Sequence, residues 1–164
     1  MPARMHSRQL FYPNEYAKIT VKRNAGQDTR GREAGMSFYG CETAPQNVRE
    51  LYDKFLKAWC AETCAPRMRP DWSEKNPTLG QCSITSFIVQ DLLGGEVYGI
   101  LLPDGAYHCF NEVDGFRFDL TSEQFGDEKL NYENCVPQTR EEHFSNADKY
   151  ARYLLLKERL GCVL

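Results

Sequence analysis

The sequence predicts an α+β fold: a helix, a central cysteine-bearing helix, an antiparallel meander of three or more strands, and a closing C-terminal helix. Three observations predict it. Apolar residues recur at helical spacing before and after a Pro/Gly-rich loop, Asp-Gly pairs punctuate β-rich runs, and a further helical stretch closes the chain. Helices flanking a meander define the class. A chain of 164 residues is the size of one domain, which the pattern places at residues 45–164, behind a loosely ordered arm of residues 1–44.

The arm is polar and patternless, with turn formers at Pro13-Asn14, Ala25-Gly26 and Arg30-Gly31, and one short strand expected near Ala17–Val21. A helix is then expected from Gln46 to Cys64, because Val48, Leu51, Tyr52, Phe55, Leu56 and Trp59 form an amphipathic stripe opposite Arg49, Glu50, Asp53, Lys54 and Lys57. Pro66 and Pro70 open the loop APRMRPDWSEKNPTLG. The next helix starts at Cys82 and is apolar on most of its circumference, which suits the middle of a domain; Gly94-Gly95 ends it as a left-handed cap. Strands follow at EVYGILLP, AYHCFNEV and FRFDLT, with Asp104-Gly105 and Asp114-Gly115 between them. A last helix runs from Ser145 to Leu160, with Ser145 and Asp148 resembling a capping box and Gly161 at its end.

Bulk properties exclude several classes. A net charge of −3, a pI near 5.7 and the lack of a basic run beside aromatics argue against nucleic-acid binding. No apolar run reaches the ~18 residues of a membrane span, and MPARMHSRQLFY lacks the apolar centre of an export signal. Seven cysteines without such a signal point to free thiols in a reducing compartment, so a cytoplasmic location is expected.

Chemistry concentrates at NPTLGQCSITSFIVQDLLGG, residues 76–95. Only a thiolate is a useful sulfur nucleophile, and a helix N-terminus and a nearby imidazolium both lower a thiol pKa. Cys82 has the first device by position. The second falls to His108, since His6 lies in the arm and His143 in the charged run REEHFSN, where both are expected to be solvated. If Asp114-Gly115 is a two-residue turn, Val113 pairs with Phe116, and His108 and Asp119 become diagonal neighbours on one sheet face. That register puts Tyr107, Cys109, Asn111, Val113, Phe116, Phe118 and Leu120 on a core-like face. His108, Phe110, Glu112, Arg117, Asp119 and Thr121 share the other.

Cys82, His108 and Asp119 thus supply nucleophile, base and orienter in chain order. That chain order resembles papain-like and transglutaminase-like enzymes in topology, and the resemblance implies an oxyanion received by Gln81 or Asn76 together with the Cys82 backbone N–H. Asn111 is a second candidate for orienting the imidazole, although i+3 along a strand points to the opposite face. Trp72 either walls a substrate cleft or covers the core, and Gln124 either lines the site or serves the scaffold. Cys60 and Cys64, spaced i, i+4, form a weak zinc pattern, and core packing is the better reading; no metal or cofactor is expected.

The succession AWCAETC, NPTLGQC, VQDLLGGE, YHCFN and DGFRFDLTSEQF, over residues 50–160, also resembles the YunG family of small bacterial proteins. That resemblance implies importance for Gln81, Cys82, His108, Asn111, Asp119, Thr121, Gln124 and Phe125 without implying a reaction; Cys60 stands where a smaller residue is usual. The leading expectation is a cysteine-dependent acyl-transfer enzyme (peptidase, amidase or deamidase) acting on a peptide, amide or protein. The alternative is a non-catalytic binding domain of papain-like shape.

Overall fold

A computed structural model describes residues 38–161, all within one compact unit. The expected strand at residues 17–21, His6 and the rest of residues 1–37 lie outside the described residues. The architecture is α+β: helices α1 (Gln46–Ala58), α2 (Cys82–Leu93), α3 (Arg140–Phe144) and α4 (Ala147–Gly161), and an antiparallel sheet of β1 (Glu96–Leu101), β2 (Tyr107–Val113), β3 (Phe116–Phe118) and β4 (Val136–Pro137). The sheet order is β3-β2-β1-β4.

The main core lies between one sheet face and the helices. Val48, Leu51, Tyr52 and Phe55 of α1 meet Ile84, Phe87, Ile88 and Val89 of α2 there, with Leu156 and Leu160 of α4 and Val97, Cys109 and Phe118 of the sheet. Burial of each such side chain removes apolar area worth about 1.5–3 kcal/mol from water. α2 is central, as its all-round apolarity predicts, and packs against β1, β2 and α4. Gly94 closes it at φ +75 with its N–H on the Gln90 carbonyl, a conformation that L side chains avoid.

α1 is shorter than expected. Trp59 leaves the helical backbone (φ −59, ψ 140), and Cys60–Cys64 form turns held by Thr63, so Cys60 and Cys64 do not share a helix face. Tertiary bonding outweighs the amphipathic stripe: the Trp59 indole donates to Thr85 Oγ1 at 3.0 Å while its ring stacks on Phe55. Residues 38–44, read from sequence as arm, are part of the packed domain. Phe38 is 1% exposed and lies against the Tyr52 ring, Ala44 is buried, and Tyr39 bridges to Asp119.

The β2–β3 hairpin has the predicted register. Val113 pairs with Phe116 across Asp114 (φ +50) and Gly115 (φ +81), the two positive φ values a tight primed turn needs. The Asp104-Gly105 connection is a longer loop, closed by the Leu102 N–H on the Ala106 carbonyl. β3 ends at Phe118 rather than Thr121, because Asp119 turns to give its N–H to the Tyr39 carbonyl. The second sheet face is covered as well: Ile100, Phe110 and Tyr132 form a small cluster there. α4 is capped one residue later than expected. Asn146 Oδ1 accepts from the Lys149 N–H, while the Ser145 hydroxyl donates back to the Glu142 carbonyl of α3. No helix among the described residues is long and apolar enough to cross a membrane.

Candidate functional site

Cys82 is the first residue of α2, and the loop before it is tightly held. Gly80 sits at φ +68 with its carbonyl accepting from the Ala65 N–H; a side chain there would put its Cβ 2.7 Å from the Cys64 sulfur. The Gln81 carbonyl accepts the Thr85 N–H, the first intrahelical bond of α2. The N–H groups of the first turn, that of Cys82 included, have no acceptor within the helix and aim their partial positive charge at its start.

His108 enters from β2, buried at 1% exposure, with Nε2 2.5 Å from Asp119 Oδ2. This is the contact that the hairpin register anticipates. Asp119 is equally buried and saturated with donors: Tyr132 Oη reaches the same oxygen at 2.8 Å, and the Thr121 N–H and hydroxyl reach Oδ1 at 3.0 and 3.1 Å. Tyr132 is in turn stacked on Tyr39, ring centroids 3.6 Å apart. Phe125 meets the edge of the His108 ring at 4.7 Å. With Nε2 committed, Nδ1 is the nitrogen left for the sulfur; it is buried and has no hydrogen-bond partner.

Burial works against a charged His108, but the Asp119 carboxylate, as charge and as acceptor, and then the Cys82 sulfur outweigh it and raise the imidazole to about 10 from an ordinary 6.5. The Cys82 thiol is held well below its ordinary 9.0. Its largest influence is the Cys109 thiol as donor; burial opposes the shift, and the His108 ring and the Cys109 N–H reinforce it. Cys109 is pushed up by that same bond and by burial. The sulfur therefore has a second thiol beside it as well as the imidazole, a neighbour that sequence reasoning placed on the core face without connecting it to the site.

Cys82 and His108 both line a cavity of about 410 Å³, shared with Gln124 and Phe125. Cys82 is half-buried as a residue and forms part of this cavity's wall. Gln124 is also fixed to the scaffold, accepting from the Gly80 N–H and donating to the Thr121 carbonyl. The other candidates are turned elsewhere. Gln81 is fully buried and spends its amide on the Cys60 carbonyl, leaving Oε1 without a partner. Asn76 closes a turn with Ser73 and accepts the Thr78 hydroxyl. Asn111 donates to the Ser86 carbonyl, tying β2 to α2 on the face opposite the imidazole. The Trp72 indole donates to the Pro77 carbonyl within its own loop, outside the cavity wall.

His143 departs from the expectation of a solvated residue. It is 8% exposed, lines the cavity, has Nε2 2.8 Å from Gln138 Oε1 and 3.9 Å from the Cys109 sulfur, and has Nδ1 3.1 Å from Lys149 Nζ. The ammonium can only donate, so Nδ1 accepts and the imidazole is the neutral Nε2–H form. Burial first, and the Lys149 charge second, hold its pKa below the ordinary value, consistent with that tautomer. Charged neighbours in REEHFSN mask this residue in the sequence, since nothing local marks one position of a polar run as facing inward.

The YunG protein family model matches residues 47–163. A protein of Bacillus subtilis (strain 168) bearing the name "Uncharacterized protein YunG" is 36% identical over 81 residues, 48% of this chain and 68% of that protein. No solved structure matches the chain.

Proposed function

The chain belongs to the YunG family, so its reaction has to be read from the site, and we propose that it is a cysteine-dependent acyl-transfer enzyme: a peptidase, amidase or deamidase. One observation carries the reading. A sulfur with lowered pKa, an imidazole and a carboxylate follow one another from an accessible cavity into the protein interior. The order of helix-borne nucleophile, strand-borne base and acid just beyond the next strand is that of papain-like and transglutaminase-like enzymes, a topological likeness that supports the same reading.

In this mechanism the Cys82 thiolate attacks a substrate carbonyl carbon, forming the C–S bond and pushing charge onto the oxygen. The N–H groups opening α2 receive that oxyanion, since the Gln81 amide donates to the Cys60 carbonyl and neither Gln81 nor Asn76 lines the cavity. His108, protonated and oriented by Asp119, gives its Nδ1 proton to the departing amine as the C–N bond breaks. The neutral imidazole then takes a proton from water, which attacks the thioester, releases the acid and restores the thiolate–imidazolium pair.

Mixing the protein with a p-nitrophenyl ester and measuring intact mass tests this. The expected result is one acyl group per chain, mapped to Cys82, absent in Cys82→Ala and formed at least ~10-fold more slowly in His108→Ala. Acylation spread evenly over the cysteines, or unaffected by His108→Ala, would reject the reading.

A further inference from the structure

The cavity that Cys82 lines has a charge pattern that the acyl-transfer chemistry does not use. Lys149 and Arg152 stand three residues apart on α4, the spacing that brings side chains to one helix face, and both line the cavity that Cys82 opens into. Neither is an ordinary solvated cation. Lys149 is half-buried, and its only polar side-chain partner among the described residues is neutral: Nδ1 of the buried His143, 3.1 Å away. His143 is itself fixed by Gln138, so the ammonium is positioned without being neutralised. Arg152 is 7% exposed. Its Nε is held by Asp148 and its Nη1 by the Thr63 carbonyl, while Nη2 makes no hydrogen bond to the described residues.

Asp148 already pairs with Arg152 at 2.8 Å, so the uncompensated charge on this wall is that of Lys149. Arg67 and Asp104 bind each other at 3.0 Å at the exposed rim. Glu142 lines the wall and is exposed, but forms no ion pair with Lys149 or any other described residue. A cation held by a neutral imidazole next to a guanidinium with a free N–H edge is a receptor for a planar anion, because the guanidinium supplies directed donors and the ammonium supplies charge.

We propose that the amide substrate of Cys82 carries a carboxylate, seated on Lys149 and Arg152 while its carbonyl lies at the sulfur. This deepens the acyl-transfer reading and rests on it. A carboxylate fixed near the scissile bond orients the carbonyl and converts encounter into a near-attack geometry. It also selects against neutral amides, which would leave Lys149 desolvated and uncompensated.

Two alkylating reagents that differ in this one feature test the site on the full chain. Iodoacetate and iodoacetamide each form a C–S bond with Cys82 and expel iodide, but only the first carries a carboxylate. Their rate ratio at Cys82, followed by mass spectrometry of the Cys82 peptide, cancels any change in thiolate fraction because both reagents attack the same sulfur. In the folded protein the iodoacetate/iodoacetamide ratio should exceed that of the same sulfur in urea by roughly 5- to 10-fold. It should fall to within about 2-fold of the urea value in Lys149→Met and fall by a smaller factor in high salt, which screens partly buried charges incompletely. Glu142→Gln, which keeps the fold and removes the competing charge, should raise it. A folded-state ratio equal to the urea ratio, or one that Lys149→Met and salt leave unchanged, overturns the carboxylate site. If Cys82 alkylates rapidly in that case, the thiolate reading survives without it. If Cys82 reacts no faster than an ordinary thiol with either reagent, both fall together.

Discussion

Replacing His108 with alanine is expected to slow alkylation of Cys82 by iodoacetamide at neutral pH by about 10-fold, as loss of the imidazolium returns the sulfur from thiolate towards thiol. An imidazolium ~4 Å from a thiolate at an effective dielectric of ~20 contributes about 4 kcal/mol, which is an upper value. The loss is bounded on the other side by what remains. The Cys109 thiol, the strongest single influence on Cys82, and the N–H groups at the start of α2 are untouched by the substitution. The apparent pKa in His108→Ala should therefore rise from the wild-type value without exceeding that of a buried, unassisted thiol. His108→Gln, which retains an amide to bond Asp119 but carries no charge, should behave like alanine in rate while keeping more of the stability. Superimposable pH–rate profiles for wild type and His108→Ala would show that the imidazole does not act on the sulfur.

The largest effect on stability is expected from Asp119→Ala, at about 3–5 kcal/mol, the usual cost of leaving one partner of a buried charged pair alone. The magnitude follows from how many groups Asp119 satisfies. Removing it strands His108 Nε2 and the Tyr132 hydroxyl on one side and the Thr121 N–H and hydroxyl on the other, all in a buried part of the structure. The pH dependence has a definite sign. His108 in the folded protein titrates at about 10, above its ordinary 6.5, so the ion pair contributes its full stability below pH 6.5 and loses it as the pH rises toward 10. Cys82 has the opposite sign, contributing above its ordinary 9.0 and losing that contribution as the pH falls through its lowered value, so the two slopes oppose each other below 9.0 wherever both groups are titrating. The Asp119→Ala penalty should accordingly be larger in urea titrations run below pH 6.5 than in titrations near pH 10. An equal penalty at both ends would mean that His108 is neutral in the folded protein.

Much of this site is legible in the sequence because its parts are set by local rules. The position of Cys82 follows from a Pro/Gly loop meeting an apolar helical run, and the meeting of His108 with Asp119 follows from a two-residue Asp-Gly turn fixing the register. The parts that escape are those made by long-range closure. Tyr132 reaches Asp119 from a segment with no periodicity, and Tyr39 reaches it from a stretch that reads as arm; together they cover a sheet face whose alternation suggests a polar side. β4 is two residues long, one of them proline, and carries no strand signal of its own. Cys109 alternates onto the core face as predicted, yet α2 begins so close to β2 that the first residue of the helix meets both faces of the strand's neighbourhood. His143 becomes visible only when α3 is folded back onto α2, where its ring packs against Phe87. Cys60 and Cys64 lose their helical spacing because one indole–hydroxyl bond, Trp59 to Thr85, redirects the chain.

The ionised state of one sulfur decides the matter, and it can be read directly as the ultraviolet absorbance of the thiolate, wild type minus Cys82→Ala, across a pH titration of the native protein. The midpoint should lie well below the ordinary thiol value of 9.0. A midpoint at or above 9.0 would mean a protonated, inert Cys82 and would overturn the acyl-transfer reading.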